Sequence, residues 1–186
     1  MKWVVLTLTL LLCSVFWFLS RNRSITSNLN GDGGMTTTFT PQTKPKTDNN
    51  FKFGSRSRKN LATVHRDLQA VAKRALELTP FDFGVTHGFR TAQEQNALFQ
   101  QNTPDKWVTD KDGYIRKSRH QSGNAIDILV YDEQGKHTWS WSYYERVSWA
   151  FKQASRELNI PIVWGGDWSG KKKDGVHIEL SKEVYT

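Results

Sequence analysis

The stretch SRHQSGNAID, residues 118–127, places His120 and Asp127 seven positions apart with Gly123 between them. Glycine allows the chain to turn, so a ligand on a loop can converge with one on the strand predicted at residues 126–131. A spacing of this kind also recurs by chance, and either side chain is compatible with a purely structural role. The stretch therefore indicates half of a metal site and requires a second half elsewhere.

The segment DGVHIEL, residues 174–180, supplies candidates for that second half. Strand alternation separates its apolar residues from His177 and Glu179, so His177 faces away from the apolar side. Zinc hydrolysis needs about three nitrogen or oxygen ligands and a position left for water. Two imidazoles and one carboxylate leave the ion able to acidify that water and to polarise a carbonyl. Asp174, across Gly175 from His177, occupies the position of a general base.

Charge and cysteine content narrow the class of protein. The net charge of +8 over 186 residues suits nucleic acid, an anionic membrane surface or an acidic cell-wall polymer, and charge alone does not choose among them. The sequence contains no recognised nucleic-acid module, so we expect no nucleic-acid partner. The only cysteine, Cys13, lies in an apolar N-terminal run, which excludes disulfides and a cysteine nucleophile from the folded domain.

Several other residues that could belong to a site have simpler explanations. We expect His65 to pack on a helix and the lysine run at residues 171–173 to belong to a solvated loop. His87 lies beside a glycine bend and can approach the site. Trp164 and Trp168 can line a peptide cleft, although aromatic residues more often belong to the core.

Hydrophobic periodicity and capping patterns predict the helices. Apolar residues recur on one helical face from residue 61 to residue 78. Capping boxes are predicted at Thr91 with Glu94 and at Ser142 with Glu145. In a capping box, a hydroxyl side chain and an acidic side chain three positions later bond the first free backbone N–H groups of a helix.

Strand patterns occur at residues 126–131 and 176–180, and a turn at residues 134–135 predicts a hairpin. The order of elements indicates an α+β fold, with a small antiparallel sheet and helices packed on it in a single domain. Arg90 lies at a predicted junction between a strand and a helix.

The N-terminal part of the chain is predicted to lie outside this domain. Residues 1–20 are predicted to be a signal anchor or signal sequence, because residues 3–19 are uncharged, apolar and close to the minimum length of a membrane helix. Residues 21–59 are predicted to be a flexible polar linker, which leaves residues 60–186 for the folded domain. We expect an inner-membrane anchor with the domain exported to the periplasm or cell wall. Translation from Met35 would instead leave the protein in the cytoplasm until lysis.

Together the motifs resemble a known family. The pattern S-x-H-x-x-G-x-A-x-D at residues 118–127, WGGDW at residues 164–168 and D-x-x-H at residues 174–177 are similar to those of the VanY-like zinc peptidases. HGFRTAQEQNALF at residues 87–99 matches the G-[YF]-R-[ST] segment of that family. The family comprises D-alanyl-D-alanine carboxypeptidases and dipeptidases and L-alanyl-D-glutamate peptidases, many of them phage endolysins that cut bacterial peptidoglycan.

The resemblance implies roles for five residues. His120, Asp127 and His177 would bind one Zn2+ ion per domain. Asp174 would be the catalytic base, and Arg90 would hold the substrate or the developing oxyanion. A surface salt bridge is the alternative role for Arg90. The implied substrate is the stem peptide of bacterial peptidoglycan, and we expect the enzyme to be a monomer.

Three functions remain open from the sequence. The D-x-x-H form favours cleavage of the L-alanyl-D-glutamate bond, because the D-alanyl-D-alanine branch of the family generally carries E-x-x-H. A D-alanyl-D-alanine carboxypeptidase is the alternative with the same chemistry. A non-catalytic cell-wall-binding module that keeps the metal for stability is the alternative of another class. Asp174 argues against that module, because a degenerate binder has no reason to keep a base there.

Overall fold

A five-stranded antiparallel sheet forms the centre of the domain in the computed structural model, which describes residues 49–186. Its strands are β1 (Phe83–His87), β2 (Ala125–Tyr131), β3 (His137–Thr138), β4 (Ile162–Trp164) and β5 (His177–Leu180). They lie in the order β1, β2, β5, β4, and the short β3 pairs with the end of β2. The predicted hairpin is formed by β2 and β3.

Four α-helices accompany the sheet: α1 (Ser55–Leu61), α2 (Arg66–Leu78), α3 (Ala92–Phe99) and α4 (Trp141–Leu158). Apolar faces of α2 and α4 join one face of the sheet in a single core. Alternate residues of β2, namely Ile126, Ile128 and Val130, are buried in that core. Asp127 therefore points to the opposite face, so the sheet separates the core from the site. The architecture confirms the predicted α+β fold.

The helix predicted from residue 61 to residue 78 is instead two helices. Between α1 and α2 the backbone N–H of His65 donates a hydrogen bond to the Gly123 carbonyl at 2.8 Å. The His65 side chain accepts a hydrogen bond from Asp67 N and caps α2. The prediction of one helix was wrong because the apolar repeat continues across the break, whereas a contact with a distant loop produces it.

One of the two predicted capping boxes is present. Thr91 Oγ1 accepts a hydrogen bond from Glu94 N, and Glu94 Oε2 accepts one from Thr91 N, at the start of α3. The box predicted at Ser142 is wrong, because α4 already begins at Trp141. Glu145 instead accepts a hydrogen bond from the Trp141 indole at 2.9 Å.

Helix α1 covers the exposed edge of β1. Ser57 is buried, and its Oγ accepts a hydrogen bond from Val85 N at 3.0 Å. Asn60 Nδ2 donates to the carbonyls of Val85 and Thr86 at 2.9 and 2.8 Å. An edge strand presents unpaired backbone groups, and these two polar side chains of α1 satisfy three of them. The helix is thus part of the sheet's support.

The predicted boundary between linker and domain at residue 59 is therefore a misplacement. Helix α1 begins inside the predicted linker, and Phe53 packs edge-to-face on Phe83 with ring centroids 5.6 Å apart. A polar composition argues against an independent core, but a few side chains suffice where a preformed sheet edge offers partners. Residues 49–59 belong to the folded domain.

A β-bulge at the end of β1 aligns three polar residues across the sheet. The pairing of β1 with β2 shifts register between Val85 and His87, which places His87 opposite Asp127. On the other side of β2, Asp127 is opposite His177. Directly opposed residues share a face of the sheet, so the three form a row on the side away from the core.

The predicted signal anchor, residues 1–20, lies outside the described residues, as do residues 21–48 of the predicted linker and Met35. Within residues 49–186, every helix is too short or too polar to cross a membrane. The anchor therefore stays a prediction from the sequence.

A chain that begins at residue 60 should be less stable than one that begins at residue 49. The shorter chain lacks Ser57 and Phe53, so the Val85 N–H loses its acceptor and the Phe83 ring loses one of its aromatic contacts. Burial of a large apolar side chain contributes about 1.5–3 kcal/mol, so we expect a loss of roughly 2–5 kcal/mol of unfolding free energy for the segment. Urea unfolding followed by circular dichroism measures the difference, and equal midpoints would contradict the revised boundary.

Candidate metal centre

Two histidines and one aspartate form a compact cluster on the face of the sheet opposite the core. The ligand atoms of His120, Asp127 and His177 all lie within 4.8 Å of one another. Asp127 Oδ1 is 3.3 Å from His120 Nε2 and 3.3 Å from His177 Nδ1. The structure thus brings the three predicted ligands together in an arrangement consistent with a metal site.

A short 3-10 helix, Arg119–Ser122, presents His120. The Ser118 side chain caps this helix by accepting a hydrogen bond from His120 N at 3.4 Å. Gly123 ends it with a φ of 68°, in the left-handed region that glycine adopts without steric cost. His120 is buried, and its Nδ1 lies 2.8 Å from the Gly88 carbonyl. Because Nδ1 donates to that carbonyl, the lone pair of Nε2 is available to a metal ion beside Asp127.

Glu179 is a site residue to which the sequence analysis assigns no role. It follows His177 by two positions on β5, and its Oε2 lies 3.1 Å from His177 Nε2. Glu179 is buried and accepts a hydrogen bond from that nitrogen, which leaves the Nδ1 lone pair available to a metal ion on the side of Asp127. Lys182 Nζ lies 3.6 Å from Glu179 Oε1. The alternation of His and Glu on one strand face was the signal that could have identified it.

Asp127 uses both carboxylate oxygens. Oδ1 faces the two imidazoles, whereas Oδ2 accepts a hydrogen bond from Arg90 Nη2 at 3.1 Å. The same Oδ2 is 3.7 Å from His87 Nδ1, so His87 reaches the rim of the site, as its position beside the glycine bend predicts. The carboxylate is thereby held in one orientation from three sides.

Arg90 lies in the site, where its guanidinium is hydrogen-bonded to other protein groups. Its Nη1 donates to Gln95 Oε1 at 2.8 Å, in addition to the bond from Nη2 to Asp127. Its backbone N–H donates to the His120 carbonyl at 3.2 Å. A guanidinium has five N–H donors, so Arg90 can orient Asp127 and still offer donors to a substrate.

Electrostatics in the cluster favour a bound cation. Burial by itself would raise the pKa of Asp127, but His120 and His177 hold that pKa well below its ordinary value. Burial would lower the pKa of His177, yet the carboxylates of Asp127 and Glu179 raise it to about 9. Protons and metal ions compete for the same nitrogen lone pairs. The cluster therefore binds positive charge strongly, whether as a proton or as a metal ion.

Asp174 lies on the turn that leads into β5, and its side chain lines the same cleft. Its Oδ1 accepts a hydrogen bond from Val176 N at 3.3 Å. Burial, and then the negative charge of Asp127, raise the pKa of Asp174 above that of an ordinary aspartate. A raised pKa brings a carboxylate closer to the value at which a general base works well at neutral pH.

The W-G-G motif holds the Asp174 turn in place. Asp174 N donates to the Gly165 carbonyl at 3.0 Å, and a Cβ on Gly165 would lie 2.4 Å from the Asp174 carbonyl oxygen. A Cβ on Gly166 would lie 2.3 Å from the Trp164 ring. Trp164 Nε1 donates to the Gly175 carbonyl at 2.8 Å. Both glycines are thus required by close packing, and Trp164 is a buried support for the turn.

The cluster opens into a cleft of about 510 Å³, a size that suits a short peptide segment. Trp168 lines it beside His177, with ring centroids 5.2 Å apart, and Trp107 lines another part of it half-exposed. Asp110 and Lys172, which belong to different loops of the cleft wall, form an exposed ion pair at 3.3 Å. One lysine of the predicted solvated run therefore lines the cleft.

The side chains present fit a divalent metal ion. Two imidazoles and a carboxylate provide nitrogen and oxygen donors, and the Gly88 carbonyl and Glu179 fix which imidazole nitrogens are available. Three such ligands are typical of catalytic metal sites that keep one coordination position open. The arrangement is therefore suited to hydrolytic chemistry.

Comparison with known proteins gives consistent results over the same part of the chain. Residues 49–184 match the family described as phage L-alanyl-D-glutamate peptidase. The chain is 39% identical over 136 residues to the L-alanyl-D-glutamate peptidase of Escherichia phage T5, covering 73% of this chain and 93% of that protein. It is 30% identical over 103 residues to the peptidoglycan L-alanyl-D-glutamate endopeptidase CwlK of Bacillus subtilis (strain 168), covering 53% of this chain and 60% of that protein.

Among solved structures, the chain is similar to the L-Ala D-Glu endopeptidase ChiX of Serratia marcescens. The TM-score is 0.61 at 31% sequence identity, and the similarity covers 75% of this chain and 97% of ChiX. The similarity therefore extends over nearly the whole of a single-domain peptidase.

Replacing Glu179 with alanine should weaken metal binding. Loss of the hydrogen bond to His177 Nε2 frees the imidazole to rotate or change tautomer, and losses of this kind typically lower metal affinity by about 10- to 100-fold. Glu179→Gln should retain much of the affinity, since its amide oxygen can accept the same bond. Chelator competition measures the affinity, and Glu183→Ala, at an exposed position nearby, is the control. Wild-type affinity in Glu179→Ala would contradict this role.

Proposed function

This chain belongs to the phage L-alanyl-D-glutamate peptidase family, and we infer that it hydrolyses the L-alanyl-D-glutamate bond of peptidoglycan stem peptides. The observation that carries this conclusion is the buried cluster of His120, Asp127 and His177 with Asp174 in the same cleft. A binding module would require the cluster for stability but would not require Asp174. The biological role that follows is degradation of the bacterial cell wall, as by an endolysin.

Zinc is the metal that we propose for the cluster. Its support is the donor set, since two neutral imidazoles and one carboxylate suit zinc better than magnesium or calcium, which prefer oxygen ligands. When bound, zinc would supply a Lewis acid that polarises the scissile carbonyl and acidifies an attacking water. One ion per domain is expected. Elemental analysis of the purified protein distinguishes zinc from other divalent metals.

Asp174 would accept the proton of the attacking water. Its hydrogen bond from Val176 N engages Oδ1, which leaves Oδ2 for the water. The raised pKa makes the carboxylate a stronger base than an ordinary aspartate, and after attack the same group can return the proton to the leaving amine. Its fixed position on the turn into β5 would set the distance to the reacting carbonyl.

Arg90 would act on the substrate carbonyl while orienting Asp127. Its contacts with Asp127 and Gln95 hold the guanidinium plane, and the remaining N–H groups can stabilise negative charge that develops on the carbonyl oxygen. The salt-bridge role and the catalytic role are thus compatible in one residue. The variant Arg90→Lys keeps the positive charge but loses the planar guanidinium, so it separates the salt-bridge role from the catalytic role.

For the cellular location we propose an inner-membrane anchor at residues 1–20 with the peptidase domain exported. The support is the uncharged apolar run at residues 3–19. The start at Met35 is the alternative, with release from the cytoplasm at lysis, and the intact mass of the native protein decides between them. The peptidase is proposed to act as a monomer, because one chain supplies all the residues of the cluster.

Asp174→Asn should lose nearly all activity and keep its metal. The amide is close in shape to the carboxylate but cannot accept the proton, and removal of a general base typically costs about 100- to 10,000-fold in rate. Mass spectrometry of digested peptidoglycan should show stem peptides with a new D-glutamate amino terminus for the wild type. Asp110→Asn, a cleft aspartate paired with lysines, is the control and should stay active.

The same digest tests the bond assignment. Accumulation of free D-alanine as the main product would favour a D-alanyl-D-alanine carboxypeptidase. An active Asp174→Asn enzyme would overturn the role of the base, and an inactive wild type that binds the wall would favour the non-catalytic module.

Arg90→Lys should lower turnover by about 100-fold, the effect expected on removing a donor to a developing oxyanion. The metal content should stay near that of the wild type, because the three ligands are intact. Steady-state kinetics and elemental analysis on the same preparation are the measurements. Wild-type turnover would leave Arg90 only a structural role, and loss of the metal would show that it acts through Asp127.

A further inference from the structure

We propose that Lys117 binds the carboxylate that the substrate's D-glutamate leaves free beside the scissile bond, an inference that rests on the proposed function. Glutamate has two carboxyl groups, and the stem peptide continues through one of them. The other is a negative charge close to the amide that is cut, on the side of the new amino terminus. A cleft that selects D-glutamate by charge complementarity therefore needs a cation for it.

The protein itself neutralises most of the basic groups in the cleft. Six of them line it: Arg90, Lys111, Lys117, Arg119, Lys172 and Lys182. Lys111 and Lys172 lie 3.6 and 3.3 Å from the carboxylate oxygens of Asp110. Lys182 lies 3.6 Å from Glu179. These three lysines thus already have acidic partners.

The two arginines are also engaged. Arg90 is paired with Asp127 at 3.1 Å. Arg119 Nη2 donates to the backbone carbonyls of Leu180 and Tyr185 at 3.0 and 2.8 Å, and its Nε is buried away from the cleft surface. Arg90 is thus committed to Asp127 and to the reacting carbonyl, and Arg119 is anchored to the backbone.

Lys117 is different from the other five. It is exposed, it lines the cleft, and within residues 49–186 no acidic side chain or carbonyl forms an ion pair or hydrogen bond with its ammonium group. An ammonium group on a flexible four-carbon stem can adjust to an anion that arrives with the substrate. Lys117 is therefore the cation of the cleft that is available for pairing.

The position of Lys117 relative to the metal cluster is fixed by the chain. It directly precedes Ser118, whose backbone N–H donates to Gln121 Oε1 and whose hydroxyl caps the helix that presents His120. Three chain steps of 3.8 Å limit the separation of the Cα atoms of Lys117 and His120 to about 11 Å. A group one residue from the scissile carbonyl is within reach of the lysine stem.

Asp174 and Lys117 match the two charged groups that the reaction handles, which are the transferred proton and the carboxylate of the substrate. Asp174 accepts a hydrogen bond from a backbone N–H, and within residues 49–186 no lysine or arginine forms an ion pair with it, which suits a base that must gain and lose a proton. Lys117 is its positive counterpart, which suits a group that must gain and lose a carboxylate. Every other charged side chain that lines the cleft contacts protein groups.

Two synthetic stem peptides that differ in one group test the proposal. In one peptide the remaining carboxyl of D-glutamate is free, and in the other it is a primary amide of nearly the same shape. The wild type should cleave the acid with a kcat/KM about five- to tenfold above that of the amide, and the preference should shrink as salt is added. In Lys117→Met the ratio should fall to about one, and in Lys117→Glu it should reverse.

Matched variants separate this role from general charge effects. Lys117→Arg should keep the preference for the acid, and Lys111→Met, which removes a lysine already paired with Asp110, should leave the ratio unchanged. A wild-type ratio in Lys117→Met, or an equal loss in Lys111→Met, would overturn the assignment of Lys117. A wild-type enzyme that cleaves both peptides equally would overturn the inference and leave the proposed function standing, whereas cleavage of neither would overturn the proposed function itself.

Discussion

The carboxylate of Asp127 is shielded from water between two imidazoles, and the site is arranged around the need to balance its charge. Burial of an unpaired carboxylate is costly. Glu179 and Asp174 add two more negative charges nearby, whereas Arg90 pairs with Asp127 and Lys182 lies 3.6 Å from Glu179. These carboxylates converge on one small volume beside two imidazoles, where a divalent cation would be stabilised. This concentration of carboxylates around two imidazoles supports the assignment of the cluster as a metal centre.

The strand pairing of the sheet determines which side chains lie beside the Asp127 carboxylate. Strand β2 carries Asp127 between β1 and β5, so the registers of two strand pairs determine which side chains stand beside it. Alternation on β5 places His177 and Glu179 on the same face, where Glu179 bonds the outer nitrogen of the ligand. The core on the other face keeps these strands rigid, because its interdigitated side chains resist sliding. A one-residue slip in either pairing would move the ligands to the wrong face.

Much of this site was predictable because it depends on sequence patterns that span only a few residues. The cap at Ser118, the left-handed turn at Gly123 and the alternation around His177 each depend on residues a few positions apart, and the fold class followed from the order of such elements. The contacts that were missed join distant segments. The His65 backbone bonds to Gly123 and so breaks a helix whose apolar pattern is continuous. Residues before 60 fold because the edge of β1 needs partners, a need that composition does not reveal.

The ion pair between Asp110 and Lys172 has a consequence for the shape of substrate that can enter. An exposed pair of this kind contributes about 0–1 kcal/mol, so it adds little to the energy that holds the two loops together. An enclosed tunnel would admit a polymer only by threading from a free end. A wall that includes so weak a contact can open to a segment from the side, with both of its ends still tied into a cross-linked network. The cleft is therefore suited to internal bonds of an intact mesh, where free ends are rare.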